Sequence, residues 1–518
     1  MSKGRVVMGL LFFPRGGSAQ VSRYLSIALA NADWSVSLVA GSLGVAGEET
    51  HAPTFFGDVP LRYLDFSDAV RRFEAGGSAV AAPVPMHPSY EDRDDAPDVL
   101  FAAVPESLAE HLAEAWTAPL RAAGADDADV FHLHHLTPQH DAVRAHWPAT
   151  PVVAHLHGTE IKFLEEVERR DALARSLGSS LSQMPERLAQ GDVATGGLDD
   201  DARQLLATTR WERWTHGAFW RRRLLEQAAR ADHLVVVSPT DRATVVDVLR
   251  VHPDKVTDVP NGVDVDTFRP RTLEAAERRS LFRRWLVEDA QGWDDSGRPG
   301  SVSYTDEDLD ALVGPDGHGV VLVYVGRFTA AKRVPSLVRA FAAARTRFAC
   351  PASLLVWGGH PGECETEHPV TVARAVGSDG IFFAGWRGHD DLPDALAASD
   401  VLVMPSVNDS FPQTPLEAMA VGLPVLATQS GGFPFMVNLD AHAPTGWLVP
   451  PDDHDALTAA LVEVVNRPAD RAARGEHALA YARRALSWSS KVAGFEEAYD
   501  RARDARARTS ARSADRDG

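Results

Sequence analysis

The stretch VVMGLLFFPRGGSAQVSRYLSIALANADWSVSLVA, residues Val6–Ala40, decides the fold class. It begins with an apolar run to Phe13, turns through the pair Gly16-Gly17, continues with apolar residues at helical spacing and ends in a second apolar run. Strand, glycine turn, helix and strand in this order predict a βαβ unit. Apolar runs without polar alternation are typical of parallel strands that are buried on both faces of a sheet.

The same alternation continues along the chain and then begins again. Further short apolar runs occur at Val130–Leu133, Val152–Leu156 and Leu234–Val237. After Pro260-Asn-Gly262 a second series occupies Val320–Val325, Ser353–Trp357, Ile381–Phe383, Val401–Met404 and Pro424–Ala427. Helical segments separate these runs, so the predicted fold class is α/β, with two Rossmann-like domains in tandem.

The predicted domain bounds follow from this repetition. We expect an N-terminal domain with insertions over 1–265, a second domain over 266–485 and a C-terminal helix over 486–504 that returns to the first domain. The tail 505–518 is rich in Arg, Ala, Asp and Ser without apolar periodicity, which predicts disorder. Long insertions at 160–230 and 271–319 exceed a minimal α/β domain, and 178–200 is expected to be mobile.

Composition excludes several classes of protein. The 518 residues are 45% hydrophobic and 24% charged, which is ordinary for globular domains, and the net charge of −20 disfavours nucleic acid as a partner. The two cysteines, Cys350 and Cys364, and the lack of an apolar leader behind Met1 predict a reducing cytoplasm. Basic, aromatic patches at Trp220–Arg223 and Arg279–Trp285 allow at most peripheral membrane association.

The most specific stretch is MPSVNDSFPQTPLEAMAVG, residues 404–422. Thr414, Pro415 and Glu417 predict a capping box at the start of a helix, which by itself would explain Glu417 structurally. Asp409 lies eight positions earlier in the same strand-to-helix loop. Two carboxylates at the carboxyl end of a parallel strand can accept hydrogen bonds from sugar hydroxyls, and the helix N-terminus between them suits phosphate.

Two cations follow the first strand of the second series. Arg327 comes directly after the strand, and Lys332 follows five residues later in a chain that has few lysines. Loop cations are most often solvated surface. Two cations beside a helix N-terminus could instead neutralise a diphosphate without a metal ion.

Histidines, acidic triplets and the first glycine pair are weaker signals. His157 precedes Gly158 at a strand end and is the histidine we expect to be functional, whereas most of the others are expected to be structural. Histidines 132, 134, 135 and 140 suggest zinc, but carboxylate spacing and a cysteine cluster are missing. The triplets at 264–266 and 308–310 lie in a connection and an insert, so we predict no metal. The pair Gly16-Gly17 is either a tight turn or a place where the backbone approaches an anion.

Taken together, these residues resemble glycosyltransferase family 4, whose members are retaining, nucleotide-sugar-dependent enzymes of the GT-B fold. The resemblance covers nearly the whole chain to about residue 500. It rests on Gly16-Gly17, His157-Gly158, Pro260–Asp264 with Phe268 and Pro270, Gly326-Arg327 with Lys332, Asp409 to Glu417, and Gly431-Gly432. It implies a cleft between an acceptor-side first domain and a nucleotide-sugar-binding second domain.

The resemblance also implies roles for individual residues. Arg327 and Lys332 would hold the diphosphate, Glu417 the ribose and Asp409 the donor sugar, while His157 would reach the sugar from the other domain. Further donor-binding positions implied by the family are Gly16, Gly17, Arg387, Phe411, Gln413 and Thr414. No cofactor and no metal are implied.

The chain departs from the family pattern at three positions. Asp409 stands where the family usually has Glu, Phe435 where it often has an acid, and Pro412 where glycine is frequent. These changes bear on which sugar is used. The implied reaction is metal-independent, retaining transfer of a sugar from a nucleotide diphosphate, with UDP as the first candidate, to a hydroxyl acceptor that the sequence does not identify. A sugar-nucleotide epimerase and a non-catalytic sugar-nucleotide-binding protein remain as alternatives.

Overall fold

The computed structural model describes residues 2–93, 96–314, 316–377 and 379–517. The chain divides into two compact units, Met1–Pro260 with Val492–Gly518, and Asn261–Lys491. The sequence placed the first boundary at 265/266, five residues later than the division at Pro260.

The first unit is built on a seven-stranded sheet in which all neighbours are parallel, in the order β3-β2-β1-β4-β5-β6-β7. Its strands are β1 (Gly4–Leu10), β2 (Trp34–Ser42), β3 (Leu61–Asp65), β4 (Val130–His134), β5 (Val152–His155), β6 (His233–Val236) and β7 (Val256–Asp258). Its helices before the second unit are α1 (Gly17–Asn31), α2 (Ala52–Phe56), α3 (Ser67–Glu74), α4 (Ala109–Glu114), α5 (Thr117–Ala122), α6 (Pro138–His146), α7 (Thr159–Ser176), α8 (Met184–Ala189), α9 (Asp200–Thr208), α10 (Gly217–Arg230) and α11 (Pro239–Leu249).

The second unit has a six-stranded parallel sheet in the order β10-β9-β8-β11-β12-β13. Its strands are β8 (Val320–Gly326), β9 (Ala352–Gly358), β10 (Ile381–Gly385), β11 (Val401–Met404), β12 (Val425–Thr428) and β13 (Gly446–Val449). Its helices are α12 (Ala275–Arg283), α13 (Asp308–Val313), α14 (Val334–Ala344), α15 (Pro369–Val376), α16 (Leu392–Ala397), α17 (Gln413–Val421), α18 (His454–Asn466) and α19 (Pro468–Tyr481). The last helix, α20 (Trp488–Asp517), starts in this unit and continues into the first.

Both sheets reverse their strand order at a single place. The first sheet grows outward from β1 to β3 and then resumes on the other side of β1 at β4, and the second does the same between β8 and β11. In such sheets, ligands bind outside the carboxyl ends of the strands at the point of reversal. The order confirms the predicted α/β class with two Rossmann-like domains.

The apolar runs form strands because both of their faces are covered. In β1, Val6, Val7, Met8 and Leu10 are all fully buried. Successive side chains of a strand point to opposite faces, so full burial of neighbours requires cover on each side of the sheet.

The end of the chain differs from the predicted disordered tail. Helix α20 runs to Asp517, so the described residues 505–517 are helical. Alanine and arginine are good helix formers, and Arg506 is anchored by an ion pair of 2.8 Å to the buried carboxylate of Asp232. Within the described residues, no helix has both the length and the apolar character that crossing a membrane requires.

The two long insertions are ordered pieces of their units. In the stretch predicted to be mobile, the Arg187 guanidinium of α8 donates to the backbone carbonyls of Leu177, Gly178 and Asp192. In the second insertion, Trp293 Nε1 donates to the Gly359 carbonyl over 2.7 Å. These contacts hold the insertions against the elements next to them.

Candidate functional site

The predicted site residues form two groups, one in each unit. In the second unit most of these residues follow β8 and β11, the strands on either side of the order reversal, whereas Arg387 follows the edge strand β10. In the first unit Gly16 and Gly17 follow β1, which borders the reversal, and His157 follows β5, which lies two strands from β1.

The second unit brings Lys332 and Asp409 into direct contact. Lys332 Nζ lies 2.9 Å from Asp409 Oδ1 and 2.8 Å from Oδ2, and both side chains are largely buried, at 17% and 15% exposure. The two loops are also joined by their backbones, because the N–H of Val407 donates to the carbonyl of Ala331 over 2.8 Å. A cation that already contacts a carboxylate here is placed to contact a phosphate oxygen.

The glycines at 431 and 432 are required by the loop that carries Asp409. Gly431 has φ of 56°, and a Cβ there would lie 2.1 Å from the Asp409 carbonyl oxygen. A Cβ on Gly432 would lie 1.8 Å from the Ser410 carbonyl oxygen, and the N–H of Gly432 donates to the Asp409 carbonyl over 2.7 Å. Only residues without a side chain allow this approach, which fixes the backbone that holds the Asp409 carboxylate.

Arg327 is the first residue after β8. Its carbonyl accepts a hydrogen bond of 2.8 Å from the hydroxyl of Tyr324, which is fully buried. Burial, followed by the nearby charge of Asp409, raises the pKa of Tyr324 well above its usual value, so the phenol remains a donor. The bond fixes the turn between β8 and the Arg327 side chain.

The predicted capping box is wrong, and Glu417 has another partner. Helix α17 begins at Gln413 with Pro412 as its N-cap, and no side chain of the described residues caps it, so Thr414 is already inside the first turn. Glu417 Oε1 lies 2.9 Å from Nε2 of His389, and the carboxylate is almost fully buried. His389 therefore donates to the carboxylate that the resemblance assigns to the ribose.

Two residues predicted to bind the donor, Phe411 and Gln413, lie at the start of α17. The side chain of Phe411 is buried, and its carbonyl accepts a hydrogen bond of 2.9 Å from Nδ2 of Asn261. Gln413 Nε2 is buried and has no hydrogen-bond partner among the described residues. The donor-binding roles of Phe411 and Gln413 stay predictions.

The Arg387 side chain binds residues of the insertion that precedes β8. Its guanidinium is almost fully buried, pairs with Asp289 Oδ2 at 2.9 Å and donates to the Trp285 carbonyl over 2.6 Å. In the structure this side chain holds residues 285–289 in place, and its donor-binding role stays a prediction.

In the first unit, the pair Gly16-Gly17 leaves space around the start of α1. Gly16 has φ of 72° and is the N-cap, and α1 has no side-chain cap among the described residues. Among those residues no atom lies within 4 Å of a Cβ placed on either glycine. The positive φ accounts for glycine at position 16, whereas neither packing nor backbone conformation requires it at position 17, and the open space at both leaves room for a ligand.

His157 lies directly beyond β5 and is held by two buried side chains. Its Nε2 is 2.9 Å from Nδ1 of His134. Its backbone N–H donates to Glu160 Oε1 over 3.1 Å, and Glu160 Oε2 lies 3.1 Å from Nδ1 of His135. Glu160 and His134 are fully buried. Burial, followed by neighbouring imidazoles, lowers the pKa of His157 well below its usual value, so the ring is neutral.

A second histidine pair lies beside the first. His132 Nε2 is 3.1 Å from His155 Nδ1, and His132 Nδ1 is 2.8 Å from the Tyr499 hydroxyl. Burial lowers the pKa of His132 to about 3. The nitrogens of His132, His134 and His155 lie within 4.8 Å of one another, so the trio could hold a metal ion. Both nitrogens of His132 are already paired, so ligation by His132 would break one of these bonds, whereas Nε2 of His134 and Nε2 of His155 have no partner among the described residues.

The acidic triplets are used in local structure. Asp264 accepts hydrogen bonds from the N–H of Asp266 and from the Thr267 hydroxyl. Asp308 Oδ2 accepts from the backbone and hydroxyl of Thr305. Both carboxylates cap turns, as Asp side chains commonly do.

Sequence reasoning missed Glu160, His389 and the contact made by Asn261. Glu160 follows His157 by three residues at the start of a helix, a spacing that could have indicated a contact with the His157 backbone. No sequence pattern near His389 indicates its contact with Glu417, because the two residues lie 28 positions apart in the chain.

The architecture is shared with several solved structures. Sucrose-phosphate synthase from Thermosynechococcus elongatus aligns with a TM-score of 0.56 and 19% identity over 96% of this chain and 98% of its own. The catalytic domain of starch synthase IV from Arabidopsis thaliana, solved with ADP and acarbose, gives 0.60 and 13% over 97% and 100%. The HepE protein of Anabaena, solved with UDP-glucose, gives 0.57 and 13% over 95% and 98%. At these identities the likeness establishes the GT-B fold.

Two described families match separate parts of the sequence. Residues 15–267 match the family described as Glycosyltransferase Family 4, and residues 319–467 match the one described as Glycosyl transferases group 1. These two glycosyltransferase matches confirm the resemblance to glycosyltransferase family 4 that the sequence motifs indicated.

Curated relatives match over part of their length. The D-inositol 3-phosphate glycosyltransferase of Saccharomonospora viridis is 32% identical over 267 residues, 50% of this chain and 53% of the relative. That of Kineococcus radiotolerans is 32% identical over 286 residues, 52% and 58% of the two chains. The chain thus spans about half the length of the curated relatives it matches.

Proposed function

We propose that this protein is a retaining glycosyltransferase that moves a sugar from a nucleotide diphosphate sugar to a hydroxyl acceptor without a metal ion. The observation that carries the proposal is the contact of Lys332 with Asp409 beside the N-terminus of α17, at the order reversal of the second sheet. This arrangement offers positive charge for a diphosphate and a carboxylate for sugar hydroxyls in one place.

The chemistry follows from the charge that develops during transfer. As the sugar leaves, negative charge accumulates on the diphosphate, and donors fixed in advance stabilise it most effectively. Lys332, Arg327 and the free N–H groups at the start of α17 can supply this stabilisation. In the retaining reaction, the acceptor oxygen attacks on the side of the departing phosphate, which takes the acceptor proton. The carboxylate of Asp409 then orients the sugar and forms no covalent bond.

Similar proteins indicate which substrates to test first. The Anabaena protein of the same fold was solved with UDP-glucose, which makes UDP-sugars the first donors. The curated relatives are named for D-inositol 3-phosphate, so a phosphorylated polyol is the first acceptor class. GDP- and ADP-sugars form the comparison set.

The test is incubation of the protein with radiolabelled sugar nucleotides and a set of acceptors that begins with phosphorylated polyols, in buffer and in excess EDTA. We expect label in the acceptor under both conditions and, by proton NMR, an anomeric configuration equal to that of the donor. Loss of transfer in EDTA that magnesium restores would contradict metal independence, and an inverted product would contradict retention. An isomerised donor would indicate an epimerase, and binding without turnover a non-catalytic protein.

A further inference from the structure

The ring of His157 is fixed by other imidazoles. It lies nearly parallel to the ring of His134, with centroids 5.2 Å apart at 15°, and stacks on His155 at 4.5 Å. Strand register places His134 of β4 directly beside His155 of β5. The sheet therefore determines where the ring of His157 lies.

Only one nitrogen of His157 is left for a ligand. Its Nε2 is bonded to His134 Nδ1, whereas its Nδ1 has no hydrogen-bond partner among the described residues. His157 is partly exposed, while His134 is fully buried. A ligand that reaches this residue therefore meets Nδ1.

The protonation of that nitrogen depends on His134, whose Nε2 is buried without a partner in the described residues. One other buried ring shows what such a nitrogen carries. His87 Nδ1 faces the Pro88 carbonyl, which can only accept, and burial lowers the pKa of His87, so its ring is neutral and holds its hydrogen on Nδ1. The unpartnered buried Nε2 of His87 is therefore bare. Buried donors without partners are rarer than buried acceptors without partners.

His368 in the second unit is the opposite case, because its Nδ1 accepts from the N–H of Val370. Its ring lies edge to face with Trp293 at 4.4 Å, so its environment differs from that of the histidines on β4 and β5.

We propose that His134 is a positioning residue that donates its Nδ1–H to His157 Nε2 and thereby holds His157 as the neutral Nδ1–H tautomer. His157 then presents a hydrogen-bond donor, and not a base, to its ligand. Glu160 supports this by binding the His157 backbone N–H. That the ligand is a donor sugar rests on the proposed function, in which the acceptor proton goes to the departing phosphate and no protein base is needed.

The spectroscopic test does not depend on activity. In the full chain labelled with ¹⁵N-histidine, the His157 signals are those missing in His157→Asn. We expect a protonated Nδ1 and a bare Nε2 at pH 7.5, and a mixture of tautomers in His134→Phe, which keeps a ring but no nitrogen. A protonated Nε2 in the unmodified chain, or unchanged His157 signals in His134→Phe, would overturn the proposal.

His132→Phe is the matched control, since His132 lies two residues earlier on the same strand face and pairs with His155 and Tyr499. It should leave His157 with a protonated Nδ1 and a bare Nε2. An equal change in both variants would mean that packing fixes the ring, which would refute the role of His134. Stoichiometric zinc in the purified chain that disappears in His134→Phe would also refute it, because His134 would then be a ligand.

The kinetic test uses the substrate pair found for the proposed reaction. His134→Phe should lower kcat roughly tenfold to a hundredfold, the range found when residues that orient metal-bound histidines are removed, with UDP affinity unchanged. His134→Asn offers an amide donor near the position of Nδ1 and should recover most of kcat, and it also serves if the Phe variant does not fold. Unchanged kcat in His134→Phe, or no recovery in a folded Asn variant, contradicts the proposal. Absence of transfer with every donor refutes the proposed function alone, since the tautomer measurement stands without it.

Discussion

At the level of single residues, the ion pair of Lys332 and Asp409 could serve the stability of the fold or the binding of a ligand. Each side chain is mostly removed from water, so the pair gains little net stability after desolvation. A diphosphate carries more negative charge than one carboxylate and can therefore draw the ammonium group toward itself. In this view, the pair holds a binding cation in place until the ligand arrives.

Replacing Lys332 should separate binding chemistry from folding. We expect Lys332→Ala to lower turnover roughly 100- to 1000-fold, the usual effect of removing one preorganised donor to a developing charge. Melting temperature should change little. The control is Arg339→Ala, which removes an exposed cation of the same unit paired with Glu367 and should keep full turnover. Equal losses in both variants would argue against a local role for Lys332.

Asp409→Asn should affect nucleotide and sugar in opposite directions. Without the carboxylate charge, Lys332 no longer has to leave an ion pair in order to bind phosphate, so UDP should bind more tightly. If breaking the pair costs about 1.4 kcal/mol, the gain in affinity is on the order of tenfold. Transfer should fall, because one acceptor for sugar hydroxyls is weakened. Titration calorimetry with UDP measures the first effect. Asp452→Asn, which breaks the exposed pair with Arg333, serves as control; weaker UDP binding in Asp409→Asn would be the contrary result.

At the level of secondary structure, the sequence predicted the elements that are buried on both faces. Strands β8 and β11 were located within a residue, since continuous apolar runs mark them. Strands β3, β7 and β13 were missed. Leu61–Asp65 is mostly exposed, Val256–Asp258 has only three residues, and Gly446–Val449 has only four and begins with a glycine. The helix start at Gln413 was misplaced because the pattern at Thr414 matched a capping box, whereas Pro412 ends the loop.

Site residues could be predicted where a loop directly follows a strand, but not where a contact depends on which strands pair with each other. Lys332 and Asp409 could be brought together from the rule that ligands lie at the carboxyl ends of strands. The contact of His134 with His157 depends on the pairing of β4 with β5, which one sequence does not reveal. The contact between His389 and Glu417 depends on the path of a loop after β10.

The histidines buried on and beside β4 should make the first unit sensitive to mild acid. Burial lowers the pKa of His132 to about 3 and that of His140 to about 4, so in the folded chain both stay neutral where an unfolded histidine, with a pKa near 6.5, gains a proton. The unfolded state binds more protons below about pH 6.5, so stability falls as pH falls through that range.

Each such group contributes a slope of about 1.4 kcal/mol per pH unit below its unfolded pKa. In urea unfolding of the full chain, the contribution of these groups to the free energy should therefore change little between pH 7.5 and about 6.5 and fall between about pH 6.5 and pH 5. His132→Phe should be less stable at pH 7.5 but have a shallower slope. An unchanged slope in that variant would show that His132 does not carry the acid sensitivity.

At the level of the whole molecule, the end of the chain completes the unit in which the chain begins. Helix α20 supplies Phe495, Tyr499 and Ala502 to the first unit, and all three are fully buried. Tyr499 also bonds His132, and Glu496 accepts a hydrogen bond of 2.9 Å from Trp34 Nε1. The first unit is therefore discontinuous in sequence.

Removing this helix should weaken the first unit selectively. Burying large apolar side chains contributes about 1.5–3 kcal/mol each, so losing Phe495 and Tyr499 with their neighbours costs an amount comparable to the whole stability of a domain, about 5–15 kcal/mol. A chain ending at Lys491 should lose a calorimetric unfolding transition or show it at much lower temperature. UDP should still raise the temperature of the remaining transition, because Lys332 and α17 belong to the second unit.

The control chain ends at Ser510, which keeps Arg506 bound to Asp232 and should unfold like the full chain. If the shorter chain kept both transitions unchanged, the contacts of α20 would not be needed for the stability of the first unit.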